Sequence, residues 1–442
     1  MFKYLPHTSE DIKEMLETIG VSSIDELFRE IPEALMNPSY DVPSSHSELE
    51  LKRRMNELAK KNLELIPFVG AGAYDHYTPS VIRPIIERQE FLTAYTPYQP
   101  EISQGTLQYI FEYQSMVTEL TGMDVSNASM YDGATATAEA MFMAVATRKK
   151  QKVLVSKTIN PNILRVLETY AKYRDIELLY IAEKDGLTDL DDLQKQISKD
   201  IAGVILQTPN FYGIIEDFSS VKERIEDAKS LFILNQDLAS LSVLKTPGSM
   251  GVDISVGEAQ TLGLPLSYGG PYIGYLATTK KLMRKMPGRI CGVTKDKDGK
   301  RAFVLTLQAR EQHIRRDKAN SNICSNQSLL ALAVTVYASV MGKVGIKEAQ
   351  MNSYKATHYL AEQVGKLKNF TQVYQADFFK DVLFETTLDE QVIEDALLKE
   401  GILGPLALKK FDPTRKGQLL FSATEKRSKK EIDHLVKVLE VL

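Results

Sequence analysis

The chain has 442 residues, of which 43% are hydrophobic and 25% charged, with a formal net charge of −4. That length is too great for one core and suits a large domain with a smaller one, and the balance is that of an ordinary globular protein rather than a disordered or fibrous one. No basic tract that could follow a phosphate backbone is present, which argues against nucleic acid, and Cys291 and Cys324 lie far from any zinc or disulfide spacing, which fits a reducing cytoplasm.

The first residues contain no apolar core of an export signal, and no uninterrupted apolar run is long enough to span a bilayer, so neither export nor membrane insertion is expected. Residues 1–65 read as a helical segment. Ile12, Met15, Leu16 and Ile19 fall at helical spacing before Gly20, and Ile24, Leu27, Phe28 and Ile31 repeat it behind a capping box from Ser23 to Glu26. A third helix opens at Ser47 with Glu50 as its box partner, and the turn formers of 37–45 predict an ordered loop before it.

At 70–76, Gly-Ala-Gly-Ala-Tyr-Asp-His lacks the third glycine of a dinucleotide loop, which would fall at Asp75, and no clear strand precedes it. A tight turn is the plain reading. The sharper one is an active-site loop, with Gly72 in the turn and Tyr74 and His76 as hydrogen-bonding tips. The stretch 95–105 holds Pro97 and Pro100 and ends on Gly105, which predicts an extended, rigid loop that is either a surface feature or the wall of a ligand pocket. Tyr95 and Tyr98 each offer an apolar face and a hydroxyl, as a pocket wall requires.

Gly133-Ala134-Thr135 opens a helix with free amides and hydroxyls, an arrangement that can hold a phosphate. On this segment alone, an ordinary cap by Asp132 or Thr135 is favoured. From about residue 150, short apolar runs at 153–155, 177–181, 204–206 and 231–234 alternate with helical stretches near 162–173, 188–198 and 218–229. Such repeats predict an α/β fold with a doubly wound, mainly parallel sheet, whose ligands bind beyond the carboxyl ends of its strands. This large domain is placed at 66–345. A long helix, strands at 382–385 and 419–422 and a closing helix predict a smaller α+β domain over 346–442.

Asp237 ends an apolar strand, where pyridoxal-phosphate enzymes place the carboxylate that pairs with the pyridinium nitrogen. Twenty-three residues on, a strand, a polar turn and a glycine-rich return lay out the site at which such enzymes present their Schiff-base lysine, and Gln260 stands there. An amide nitrogen forms no imine. The later stretch with Arg310, His313, Arg315, Arg316 and Lys318 could receive an anionic group or a partner's acidic surface, or be a salt-bridged connection. Residues 425–431 carry both signs of charge and predict a solvated helix start.

Together, Gly-Ala-Gly-Ala-Tyr-Asp-His-Tyr at 70–77, Thr-Ala-Tyr-Thr-Pro-Tyr-Gln-Pro-Glu-Ile-Ser-Gln-Gly at 93–105, Asn-Ala-Ser-Met-Tyr-Asp-Gly-Ala-Thr at 127–135, the 257–271 segment around Gln260, and Arg-Glu-Gln-His-Ile-Arg-Arg at 310–316 resemble one family. It is the glycine decarboxylase, or P-protein, of the glycine cleavage system, and more narrowly its first subunit where the enzyme is split into two chains. The resemblance implies a fold-type-I pyridoxal architecture and an α2β2 assembly whose second subunit carries the lysine and the pyridoxal phosphate. Glycine would lose its carboxylate there, and the aminomethyl group would pass to the lipoyl arm of H-protein. It further implies that Tyr95, Tyr98 and Gln99 act in trans at the subunit interface, that Gly72, Tyr74 and His76 form a substrate loop, and that Gly133, Thr135, Asp237 and Gln260 are a degenerate cofactor pocket. Two alternatives stand beside it: a self-sufficient pyridoxal enzyme using Lys157 or Lys245, both read as exposed loop lysines, and a non-catalytic scaffold.

Overall fold

The computed structural model describes residue 4 and residues 6–36, 38–319 and 321–442. Residues 1–3 and 5, read above for an export signal, Asn37 of the predicted loop and Asn320 of the cationic stretch lie outside the described residues. The chain divides into two compact units, 1–63 and 64–442.

In the first unit, helix Ser9–Ile19 begins on a reciprocal cap between Thr8 and Asp11 and ends at Gly20, whose φ of 83° favours glycine. Helix Glu48–Ala59 begins on the expected box of Ser47 and Glu50. The middle repeat departs from expectation. Only a 3-10 turn, Asp25–Phe28, forms, and the Glu26 carboxylate reaches back to the Ser22 amide at 3.2 Å rather than to Ser23. Ile24 already has helical backbone angles, so the turn begins earlier than the box requires.

The second unit is built on a seven-stranded sheet of Val125–Ser126 (β1), Lys152–Ser156 (β2), Glu177–Ile181 (β3), Ile201–Gln207 (β4), Leu231–Asn235 (β5), Ile254–Glu258 (β6) and Gly274–Thr278 (β7). The order across the sheet is β1-β7-β6-β5-β4-β2-β3; five strands pair in parallel, β7 runs against them, and the edge strand β1, antiparallel to β7, runs with them again. Alternation explains why these strands read as unbroken apolar runs. Val153, Val155, Ile205 and Ile233 pack on one face with helix Gly133–Arg148, while Leu154, Val204, Leu206, Phe232 and Leu234 pack on the other against Val221 and Ile225. The α/β, mostly parallel reading is therefore what the chain adopts.

A hairpin of Ile290–Lys295 (β8) and Arg301–Thr306 (β9) follows the sheet, and then helix Ser328–Val364. By length and composition this helix could cross a membrane, although Lys343 and Lys347 interrupt its apolar run. Its apolar residues are used otherwise: Ala331, Val334 and Tyr337 pack with Tyr113, Val117 and Leu262, and the backbone breaks at Gly342. Residue 346, where the smaller domain was placed, lies inside this helix. An antiparallel sheet of Phe370–Gln372 (β10), Asp381–Thr386 (β11), Leu406–Ala407 (β12) and Gln418–Ser422 (β13), in the order β10-β11-β13-β12, closes the chain with helices Glu390–Lys399 and Lys429–Glu440.

Candidate functional site

The carboxyl ends of β4, β5 and β6 open onto one cavity of about 400 Å³. Gln207, Asn235, Gln236, Asp237 and Glu258 come from the strand ends, the 70–74 segment forms one wall, and Lys380 and Asp381 at the start of β11 form another. This is where a doubly wound sheet leaves strand-end groups unpaired and free to meet a ligand. Gly70 and Gly72 let the backbone come close: a Cβ at Gly70 would collide with Tyr74 and Asp381, and Gly72 has a φ of 113°.

Four of the expected site residues line this cavity: Gly72, Tyr74, Gly133 and Asp237. Tyr74 is buried, and its hydroxyl donates to Asp381 Oδ2 at 2.5 Å. Asp381 is raised by burial, against the bonds it accepts from Tyr74 and the Ala71 amide. His76 lies behind the wall, 2% exposed. Its Nε2 stands 3.2 Å from Lys380 Nζ and its Nδ1 2.6 Å from Glu425 Oε2. An ammonium only donates, so Nε2 must accept and Nδ1 must carry the proton. The ring is then neutral, in keeping with burial and the Lys380 charge, which both lower its pKa. Burial raises Glu425, but the bonds from His76 and the Tyr77 amide more than reverse that and hold its carboxyl below the ordinary range.

The degenerate pocket is more thoroughly filled than a lysine-to-glutamine change would make it. Gln260 is fully buried: its Oε1 accepts from the Tyr74 amide at 2.9 Å, and its Nε2 donates to the carbonyls of Tyr74 at 2.9 Å and Leu264 at 2.7 Å. It is a clamp on the 70–76 segment and does not line the cavity. Asp237 Oδ2 accepts from Lys380 Nζ at 2.7 Å, and Oδ1 accepts from Thr261. The Gly133 amide, at the helix start where a phosphate would bind, donates to Glu258 Oε2 at 2.9 Å. Thr135 is the partner of Asp132 in a capping box and does not line the cavity, so its place in the cofactor pocket is corrected: its amide and hydroxyl both face Asp132.

These residues do not fit pyridoxal phosphate bound as an imine. The position expected to hold the anchor has an amide, the carboxylate expected at the ring nitrogen already has a cation, and the amide expected to meet the phosphate already has a carboxyl partner. Lys380 is the lysine that does line the cavity, but Asp237, His76 and Gln350 take its three donors, an arrangement for an ammonium and not for a nucleophilic amine. Lys157 and Lys245 are exposed, do not line the cavity, and Lys245 pairs with Asp217 at 3.0 Å.

Tyr95, Tyr98 and Gln99 lie elsewhere, on an exposed loop between helix Gln89–Leu92 and the 3-10 turn Pro100–Ile102. Tyr95 is 79% and Tyr98 51% exposed, and none of the three lines the cavity. The extended loop is shorter than predicted, because Gln104 and Gly105 already belong to helix Gln104–Thr121. The 425–431 stretch is also less solvated than predicted. Glu425 is tied to His76, and Arg427 is buried against Asp75 at 3.1 Å, while the helix itself starts at Lys429 with Ser428 as its cap.

Lys380, Glu258 and Glu425 were not singled out by the sequence. Their charges arrive from segments far apart in the chain, and the one local sign was a lysine following two phenylalanines, Phe378 and Phe379, at the head of an apolar strand.

The whole chain matches known proteins. Residues 2–439 match the family Glycine cleavage system P-protein. A protein of Moorella thermoacetica named probable glycine dehydrogenase (decarboxylating) subunit 1 is 48% identical over 434 residues, 98% of each chain. One of the same name from Desulforamulus reducens is 49% identical over 437 residues, again 98% of each. The crystal structure of a glycine decarboxylase (P-protein) in inhibitor-bound form superposes with a TM-score of 0.92 at 38% identity, covering all of both chains. Glutamate decarboxylase of Lactobacillus brevis, at 13% identity and a TM-score of 0.70 over 92% of this chain and 95% of its own, shares the fold. The chain belongs to the P-protein family of the glycine cleavage system.

Proposed function

We propose that the chain is the subunit without the Schiff-base lysine in a two-chain glycine decarboxylase, a glycine dehydrogenase of the aminomethyl-transferring kind, and is inactive by itself. The observation that carries this reading is Gln260. It occupies the anchor position in a chain similar along its full length to glycine decarboxylases, and its three hydrogen bonds to backbone leave no room for a reactive amine there. A partner subunit would supply the lysine and the pyridoxal phosphate in an α2β2 complex of the cytoplasm. When bound there, that group takes up the electrons released as glycine loses carbon dioxide, and the lipoyl arm of H-protein receives the aminomethyl group.

This chain's part is to complete the site from across the interface. Tyr95, Tyr98 and Gln99 are exposed on a loop stiffened by Pro97 and Pro100, so they can reach glycine or the partner's cofactor and orient it while the rings exclude water. Gln260 and Lys380 hold the 70–76 segment in place.

Reconstitution tests this. Carbon dioxide release from labelled glycine should be absent with either purified subunit and H-protein, and present when both subunits are mixed. Full activity of the lysine-bearing partner without this chain would refute it and leave the scaffold reading.

A further inference from the structure

Beneath the 95–99 loop lies a charge that the functions described so far do not use. Arg289, just before β8, is 4% exposed. Its Nη2 donates to the Cys324 carbonyl at 2.7 Å and to Thr96 Oγ1 at 3.4 Å, and Nη1 donates to Asn326 Oδ1 at 3.3 Å. The guanidinium carbon is 5.7 Å from the centre of the Tyr98 ring, within cation–π range, and Nε has no partner among the described residues. Asn326 is held in turn by the Ala128 carbonyl and the Ser129 hydroxyl, both at 3.1 Å, and His313 meets Tyr98 edge-on at 6.0 Å between ring centres.

Every acceptor around Arg289 is neutral. Burying a cation without a carboxylate is costly, and an apolar side chain would hold a loop at less expense. What the guanidinium adds is a planar fork that grips two segments at once and a positive face under one aromatic ring. Lysine has the charge without the fork.

We propose that Arg289 is a positioning residue for the shared site, fixing Thr96 and Tyr98 against the 324–326 segment so that the Tyr98 hydroxyl projects in one direction. The proposal rests on the reading that the 95–99 loop acts across the subunit interface.

The test uses the assembled complex with Arg289→Met, Arg289→Lys, Tyr98→Phe and the Arg289→Met/Tyr98→Phe double variant. With the complex intact, Arg289→Met should lower kcat for glycine decarboxylation about tenfold while KM for glycine moves less than about twofold, and the double variant should be no slower than the slower single one. Arg289→Lys should fold like the parent and still lose most of kcat; it carries the test if the methionine variant fails to fold. If Tyr98→Phe turns over normally, the shared-site reading itself fails. If Tyr98→Phe is slow but the Arg289 variants are normal, raise KM alone, or lose rate multiplicatively with it, the role of Arg289 is overturned and the shared-site reading stands.

Discussion

The strand-end cavity and the 95–99 loop hold the same kinds of side chain, a tyrosine, an amide and a cation, and place them in opposite ways. At the cavity Tyr74 is buried against Asp381, Gln260 behind its wall is bonded to three backbone groups, and the three donors of Lys380 are spent on Asp237, His76 and Gln350. On the loop, Tyr95, Tyr98 and Gln99 are open to solvent, and Arg289 meets Thr96 and the Tyr98 ring. A polar group whose every valence is met inside the chain can bind a ligand only by breaking what it has, while one held from beneath and free above pays no such cost. The expected cofactor groups of the cavity are thus spent on one another, with the Gln236 amide left unpartnered among its lining residues, and the loop is the part proposed for function.

Breaking the cavity should show first in stability. Lys380→Met leaves the Asp237 carboxylate without its cation and should cost roughly 3–5 kcal/mol in urea denaturation, the usual result of orphaning one partner of a buried pair. A loss under about 1 kcal/mol would mean that the pair is solvated and the cavity not sealed. Gln260→Ala orphans the Tyr74 amide and two carbonyls and should cost on the order of 3 kcal/mol, with the 70–76 segment becoming the most protease-sensitive part of the fold.

The pH dependence sharpens the comparison. Burial pushes Glu258 up from the usual 4.5 to about 8, opposed by the bond from the Gly133 amide and helped by the charge of Asp132. A carboxyl raised in the folded state favours folding fully below its unfolded value, and that contribution is lost as pH rises toward 8. Glu258→Gln stays neutral throughout, so between about pH 5 and about pH 8 it should lose less stability than the parent, by on the order of 3 kcal/mol. Parallel curves for the two proteins would show that Glu258 is not buried as described. The smallest stability effect belongs to the loop: Tyr95→Ala/Tyr98→Ala should unfold within about 0.5 kcal/mol of the parent and stay assembled, while glycine decarboxylation by the complex falls roughly tenfold or more. Near-normal turnover would remove the loop from the site.

Local pattern carried much of this into view. Strands covered on both faces are unbroken apolar runs, so 153–155, 177–181, 204–206 and 231–234 marked the sheet, and the Ser47 and Glu50 box marked a helix start. Gln260 was legible because a missing lysine is a local fact. The contents of the cavity were not, since Asp237 meets a lysine 143 residues away and His76 a glutamate 349 residues away. Thr135 was misplaced for the same reason: Gly-Ala-Thr reads alike whether its amides face a ligand or, as here, Glu258 and Asp132. The change of pattern placed near 346 falls inside helix Ser328–Val364, four residues after its break at Gly342.

The most direct test is to reduce the assembled complex with borohydride in the presence of pyridoxal phosphate and map the modified lysine by peptide mass. The expected result is a single pyridoxyl-lysine on the partner subunit and none in this chain, also when Gln260→Lys replaces the parent, because Asp237 and the Gly133 amide remain engaged with Lys380 and Glu258. A stoichiometric adduct on Lys380, or on any other lysine of this chain, would contradict the reading that its pocket is filled by its own side chains.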